Sequence, residues 1–187
     1  FDYTPSTWRK GGYKNFSTES LDLEEDFYKQ FLDIDVRIKV IPKRTCVYIR
    51  HKGYGKDEIS KTWERLLGFA YEKNILKNTQ LGLYHDNLVI TPKKDCNYVA
   101  AIEVKKDFEA TNSISKFEVL ESLCAVFKYE GVYGDIGKLM TYIYHYWMPK
   151  SGYEAKTLPA FAIYHQNHYL EGNDTFKLEF CVPIRVV

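Results

Sequence analysis

Two segments of the chain alternate between hydrophobic residues and a mixed set of residues. In the segment 176–182 (FKLEFCV) every even position is hydrophobic, and the same holds in the segment 98–104 (YVAAIEV). A period of two predicts β-strands, because successive side chains of a strand point to opposite faces of the sheet. We therefore expect one sheet face to pack under helices and the other face to meet solvent or to form a groove.

Two further segments have hydrophobic residues at helical spacing. The first predicted helix begins near Asp57, a favourable N-cap residue. The second begins near Asp135 and ends at Pro149, because proline interrupts helical hydrogen bonding. Hydrophobic residues recur at positions 59, 63, 66, 67 and 70 of the first helix and at positions 136, 139, 140, 143 and 147 of the second.

The chain contains an internal duplication. Three pairs of segments match in the same order: 46–53 with 124–131 and 98–104 with 176–182 at an offset of 78 residues, and 83–87 with 163–167 at an offset of 80. The sequence of each repeat predicts a β-rich run that ends in a glycine loop, followed by a helix and then by two more β-runs. Three matches at nearly one spacing indicate two copies of one βαββ module.

These patterns predict an α+β fold. We expect a duplicated βαββ module, with repeats at about 35–105 and 116–187, related by a pseudo-two-fold axis. An N-terminal strand at Val36–Val40 would complete an antiparallel sheet of about eight strands, with two main helices on one face and a ligand groove on the other. Residues 1–34 do not match either repeat, and residues 17–31 read as an acidic connector.

Charge and composition limit the classes of partner that this chain is expected to bind. The formal net charge is +1, whereas a domain that binds nucleic acid by itself usually carries a clear basic excess. No apolar run is long enough to predict a membrane span, so we expect no membrane partner. Aromatic residues are abundant, with 16 Tyr, 11 Phe and 3 Trp, and such rings fill cores or line binding pockets.

The cysteines indicate a reducing compartment. None of Cys46, Cys96, Cys124 and Cys181 forms a CxxC pair, and three of them lie in apolar strand-like runs, where a thiol behaves as a small hydrophobic group. We expect them to be reduced and buried, which fits a cytoplasmic protein. Disulfide bonds remain an alternative.

Two parts of the chain resemble a family of transcription regulators. The segment 3–10 (YTPSTWRK) resembles the C-terminal end of an AraC-type DNA-binding domain. Residues 35–187 resemble the GyrI-like effector-binding domain of the SbmC and BmrR type, most clearly at 127–131 (FKYEG) and 178–184 (LEFCVPI). The resemblance implies a Rob-type regulator of the AraC family. DNA would then be contacted only through a helix-turn-helix region that precedes Phe1.

The resemblance also implies one ligand-binding residue. Glu179 falls on the strand glutamate that faces a cationic ligand in the drug-binding members of the family. A carboxylate among aromatic rings is costly to bury unpaired, and a cation would offset that cost. From the residues alone, an exposed glutamate paired with Lys177 or another neighbour remains open.

Aromatic residues supply the other candidates for ligand binding. Tyr54 and Tyr133 follow the two glycine loops at related positions, so their rings would approach a pseudo-symmetric cleft. Tyr84 and Tyr164 are repeat-equivalent strand tyrosines, and Trp63 belongs either to the core or to the pocket.

The sequence therefore predicts a domain that binds a small aromatic or cationic effector. We identify no catalytic residue, because neither a GxSxG motif nor a cysteine with an evident histidine partner is present. No metal or other cofactor is implied, since the HxxH spacing at 165–168 places its histidines on opposite faces of a strand. A stand-alone ligand-binding domain, a hydrolase-type enzyme and a protein-interaction module remain alternatives.

Overall fold

The computed structural model describes residues 25–86, 91–110, 114–170, 172 and 174–186. The chain divides into two compact units, residues 1–33 and residues 34–187. In the first unit the described residues form a short helix, α1 (Glu25–Lys29). The segment 3–10, which resembles the end of an AraC-type domain, lies outside the described residues.

The described residues of the second unit form a nine-stranded antiparallel sheet with helices after its second and sixth strands. The strands are β1 (Asp35–Ile41), β2 (Arg44–Lys52), β3 (Gln80–Tyr84), β4 (Asn97–Val104), β5 (Ser115–Val119), β6 (Ser122–Val132), β7 (Tyr153–Ala155), β8 (Ala160–Gln166) and β9 (Thr175–Val186). The helices are α2 (Lys56–Glu72), α3 (Asp135–Tyr142) and α4 (Met148–Ser151), and the π-helical segment Ile143–Trp147 joins the last two.

The helix termini differ from the predicted ones in two places. Helix α2 begins at Lys56 after the N-cap residue Gly55, so Asp57 lies within its first turn. A negative charge at this place interacts favourably with the helix dipole. Helical structure continues through Pro149 to Ser151. Proline is tolerated there because Pro149 occupies the first turn of α4, where its missing N–H is least costly.

The order of the strands confirms the duplication. Eight strands lie side by side in the order β1-β6-β9-β8-β3-β4-β2-β5, and β7 pairs with β9 at the side. Strands β3 and β8 meet at the centre, where Gly82 and Ala162 are direct partners. These two residues are also repeat-equivalent at the offset of 80, so the pseudo-two-fold axis passes between them.

The register also corrects one alignment of the repeats. Ala100 pairs with Gly82 on β3, and Phe180 pairs with Ala162 on β8, so Ala100 is equivalent to Phe180 at an offset of 80. The expected offset of 78 for these strands is therefore two residues too short. The offset of 78 is correct for β2 and β6, in which Arg50 corresponds to Lys128.

The first strand of each repeat pairs with the other repeat. Strand β1 belongs to the first repeat by sequence, yet it pairs along its whole length with β6 of the second. Strand β5 begins the second repeat and pairs with β2 of the first. Neither repeat therefore completes its sheet without the other.

The hydrophobic alternation correctly predicts which side of the sheet packs under the helices. We call this side the helix face; it carries Tyr98 and Phe180, which are fully buried. The ring of Trp147 lies 5.0 Å from that of Phe127, which pairs with Phe180 on the same face. Trp63 of α2 is also fully buried and contacts Tyr98.

The opposite side, which we call the open face, carries a second apolar cluster. Its buried members are Ile41, Cys46, Leu81, Leu83, Val99, Ala101, Val119, Cys124, Val126, Phe161, Ile163 and Cys181. All four cysteines of the chain are free and buried, and burial raises the pKa of the Cys124 thiol to about 11. The open face is therefore less polar than strand alternation alone indicates.

Gly82 permits the close packing at the pseudo-two-fold axis. A Cβ atom at this position would lie 2.5 Å from Tyr98 Oη and 2.9 Å from Tyr164 Cε2. Both rings are buried against the centre of the sheet, so neither can swing away freely.

We expect Gly82→Ala to lower the free energy of unfolding by about 1–3 kcal/mol, the usual cost of overpacking a core. Gly68→Ala is the control, because Gly68 lies in α2 with no atom within 4 Å of the added methyl group. This change should instead stabilise by about 0.5–1 kcal/mol through helix propensity. Urea denaturation of both variants measures the two effects. Equal stability of Gly82→Ala and the unchanged protein would contradict the close packing.

Candidate ligand-binding site

Four of the six candidate residues lie together on the helix face: Tyr54, Trp63, Tyr84 and Tyr164. The hydroxyl groups of Tyr84 and Tyr164 are 3.0 Å apart, so these repeat-equivalent tyrosines meet at the pseudo-two-fold axis. Tyr98 completes the cluster: it accepts a hydrogen bond of 3.1 Å from Trp63 Nε1, and its hydroxyl lies 3.3 Å from that of Tyr164. We call these five residues the tyrosine cluster.

The tyrosine cluster is closed to solvent. Its least buried member, Tyr54, is 8% exposed. Burial raises the pKa of Tyr164 to about 12 and also raises the pKa values of Tyr54, Tyr84 and Tyr98, so these phenols stay protonated well above neutral pH. The cluster joins the two repeats as part of the core, although Tyr84 and Tyr164 also contribute to the lining of two surface grooves.

Tyr133 lies at the margin of this region. It is half-buried, and its ring lies 5.9 Å from that of His168. Lys56 Nζ lies 5.8 Å from the centre of the same ring. Burial lowers the pKa of His168 to about 4, so this histidine is neutral at pH 7.

Glu179 lies on the open face, on the opposite side of the sheet from Leu178 and Phe180. Its carboxylate is 3.3 Å from Lys39 Nζ of β1. Lys177, the neighbour considered from the sequence, instead forms an ion pair of 3.0 Å with Glu130. The sheet thus separates Glu179 from most of the tyrosine cluster, although Tyr164 and Glu179 both contribute to the lining of one groove.

Two grooves on the open face are related by the pseudo-two-fold axis. The first, which we call the apolar groove, has a volume of about 260 Å³ and includes Leu83, His85 and Val99. The second, the polar groove, has a volume of about 580 Å³ and includes the equivalent residues Ile163, His165 and Glu179. Val99 and Glu179 occupy equivalent positions, and the polar groove is further lined by polar residues at 77–80 and 166–167.

Aromatic and aliphatic side chains form the apolar groove. Tyr48 and Phe117 pack edge to face with ring centres 5.1 Å apart, and Phe161 and Pro183 line the groove with them. None of these residues was among the sequence candidates. The sequence did contain a signal for an apolar surface at this place. The odd-numbered residues Leu83, Val99 and Ala101 of β3 and β4 are apolar and lie on the face away from the helices.

Three ionisable groups border the apolar groove: Arg50, His85 and Glu118. Glu118 is engaged by Lys43, whose Nζ lies 2.8 Å from its carboxylate. Desolvation lowers the pKa of His85, and the neighbouring Arg50 lowers it further.

No cluster of three or more His, Cys, Asp and Glu side chains within the described ranges is arranged to hold a metal ion. The helices found in those ranges are too short or too polar to cross a bilayer.

The duplicated module, its strand exchange and its open-face grooves define a class of small-molecule-binding domain. The family described as the GyrI-like small molecule binding domain matches residues 34–185. The chain therefore belongs to the GyrI-like family. None of the curated proteins matches it in sequence.

Solved structures with the same fold come from regulators and from proteins of other description. The C-terminal domain of EcmrR aligns over 83% of this chain and 100% of its own with a TM-score of 0.64 and 14% identity. A hydrolase encoded by lin2189 from Listeria innocua aligns over 84% and 96% with a TM-score of 0.61 and 12% identity. SAV2435 bound to tetraphenylphosphonium aligns over 81% and 94% with a TM-score of 0.53 and 15% identity. At these identities the likeness shows the fold alone.

His168 generates a prediction for pH dependence. Its pKa of about 4 in the folded state lies below the usual value of 6.5, so the unfolded chain takes up a proton first as the pH falls. Stability should be full above pH 6.5 and decline between pH 6.5 and 4, by up to about 3 kcal/mol from this residue.

The measurement is the free energy of unfolding by urea at several pH values. His168→Asn should flatten the curve between pH 6.5 and 4, whereas His165→Gln, at an exposed position, should leave it unchanged. A curve that keeps its slope in His168→Asn would assign the decline to another group.

Proposed function

We propose that this chain contains the effector-binding domain of a transcription regulator and that it binds a small aromatic molecule in the apolar groove. The observation that carries the proposal is the lining of that groove by Tyr48, Phe117 and Phe161 together with aliphatic side chains. Concave, largely apolar sites with a few polar groups at the margin are typical of small-molecule binding. Membership of a small-molecule-binding family supports the same conclusion.

The regulatory part of the proposal rests on the N-terminal segment and on a relative. The segment 3–10 resembles the end of an AraC-type DNA-binding domain, and the family match begins only at residue 34. EcmrR, which shares the fold, has been determined in a complex with DNA. We propose that DNA is contacted through a helix-turn-helix region before Phe1, as in a Rob-type regulator. The four free, buried thiols support a cytoplasmic location for such a regulator.

Binding without turnover is the proposed mode of action. Aromatic rings and aliphatic side chains make up most of the described lining of the apolar groove, which contains no serine, threonine or cysteine that could act as a nucleophile. The groove can therefore hold an aromatic body by burial of apolar surface. The hydrolase-type alternative predicts that a bound compound is converted, so recovery of the compound by mass spectrometry distinguishes the two.

Binding of the neutral fluorescent probe N-phenyl-1-naphthylamine tests the groove. Phe117→Ala should weaken binding by about 1 kcal/mol, because it removes an aromatic wall. Phe69→Ala is a matched control: Phe69 is also half-buried and packs edge to face with one ring, that of Phe108, but it lies on α2 outside the groove. Equal losses in the two variants, or none in either, would place the probe elsewhere.

A cationic ligand at Glu179 is the second proposal for the site. Tetraphenylphosphonium is bound by SAV2435, and Glu179 lies in the polar groove at 16% side-chain exposure. Lys39 already neutralises this carboxylate, so a cation must compete with it.

We expect Lys39→Met to strengthen binding of tetraphenylphosphonium and Glu179→Gln to weaken it, each by about 1–3 kcal/mol, the scale of a charged contact. Triphenylphosphine oxide, which is neutral, should respond to neither change. Lys177→Met serves as the control on β9, since Lys177 pairs with Glu130. Calorimetry of the unchanged protein and the three variants with both ligands measures these effects. No change in tetraphenylphosphonium affinity in either variant would make Glu179 an ordinary strand residue.

A further inference from the structure

The two repeats differ on the open face in whether a positively charged residue has a carboxylate on the neighbouring strand. Lys128 on β6 is the direct cross-strand partner of Glu179 on β9. The equivalent position of Lys128 in the first repeat is Arg50, whose cross-strand partner on β4 is Val99. The two repeats thus keep a cation at the same place, but only the second keeps the carboxylate opposite to it.

The carboxylates near the two grooves have cationic partners. Glu179 is bound by Lys39, Glu103 by Arg44, and Glu118 by Lys43. Arg50 has no carboxylate partner among the described residues.

The surroundings of Arg50 favour a negative group more than a positive one. The residue is exposed at the margin of the apolar groove, and His85 beside it has its pKa lowered by desolvation and by Arg50 itself. Neutral His85 can still donate one hydrogen bond, and the guanidinium group can donate two parallel ones to a carboxylate. A cation in this groove would meet the like charge of Arg50 instead.

From this arrangement we propose that the apolar groove takes an amphipathic organic acid, with its aromatic or aliphatic body inside the groove and its carboxylate against Arg50. The proposal rests on the proposed function of the groove and names the ligand class. The ligand supplies the negative charge that Glu179 supplies in the polar groove. The body stays dry between Val99, Phe117 and Phe161, while the carboxylate remains partly hydrated at the margin, which limits its desolvation cost.

The test compares three ligands of one shape: 2-naphthoate, 2-naphthamide and 2-naphthylmethylammonium. Calorimetry at low salt should give the tightest binding for the acid, followed by the amide and then the ammonium compound. Arg50→Gln should weaken 2-naphthoate by about two- to fivefold and leave 2-naphthamide unchanged, the scale of one exposed charged contact. Arg50→Lys should fall between the two, because lysine keeps the charge and loses the paired donors.

Arg65→Gln is the matched control, since Arg65 is an exposed arginine on α2 at a distance from the groove. Binding of the amide that depends on Phe117, with equal affinity for the acid and no effect of Arg50→Gln, would overturn this inference and leave the proposed function intact. Tighter binding of the ammonium compound would also overturn it. Failure of all three ligands to bind would remove the proposed function and the inference with it.

Discussion

The pairing of β3 with β8 joins the two repeats, and it depends on the absence of a side chain at Gly82. The rings of Tyr98 and Tyr164 lie directly over this residue, within 3 Å of where a Cβ atom would stand. Because β3 and β8 are direct neighbours, the sheet is continuous across the pseudo-two-fold axis. The hydrogen-bonded hydroxyls of Tyr84 and Tyr164 meet at the same axis.

Because of the strand exchange, each repeat needs the other repeat to complete its sheet. Since β1 completes the second repeat and β5 completes the first, each repeat would present an unpaired edge without the other. The exchange also brings Lys39 of β1 to Glu179 of β9, residues that are 140 positions apart in sequence. The carboxylate of the polar groove is therefore paired with a lysine from a strand of the opposite repeat.

The two faces of the sheet have different structural roles. On the helix face, aromatic rings and phenol hydroxyls are packed into a core whose burial raises the pKa values of the phenols. On the open face, the same backbone symmetry carries two grooves whose chemistry has diverged at equivalent positions, with Val99 in one and Glu179 in the other. A duplicated module can thus keep one fold while its halves acquire different polarity.

The sequence by itself determined the α+β class, the duplication, the strand at Val36–Val40 and the face on which the helices pack, because these depend on local periodicity. It also placed Glu179 opposite Leu178 and Phe180 through simple alternation. Only the tertiary structure decided which side chains share a site. The tyrosines 54, 84 and 164 meet in the core, and Lys39 reaches Glu179 through strand exchange. Residues such as Tyr48 and Phe117 come together through long-range register, which periodicity does not encode.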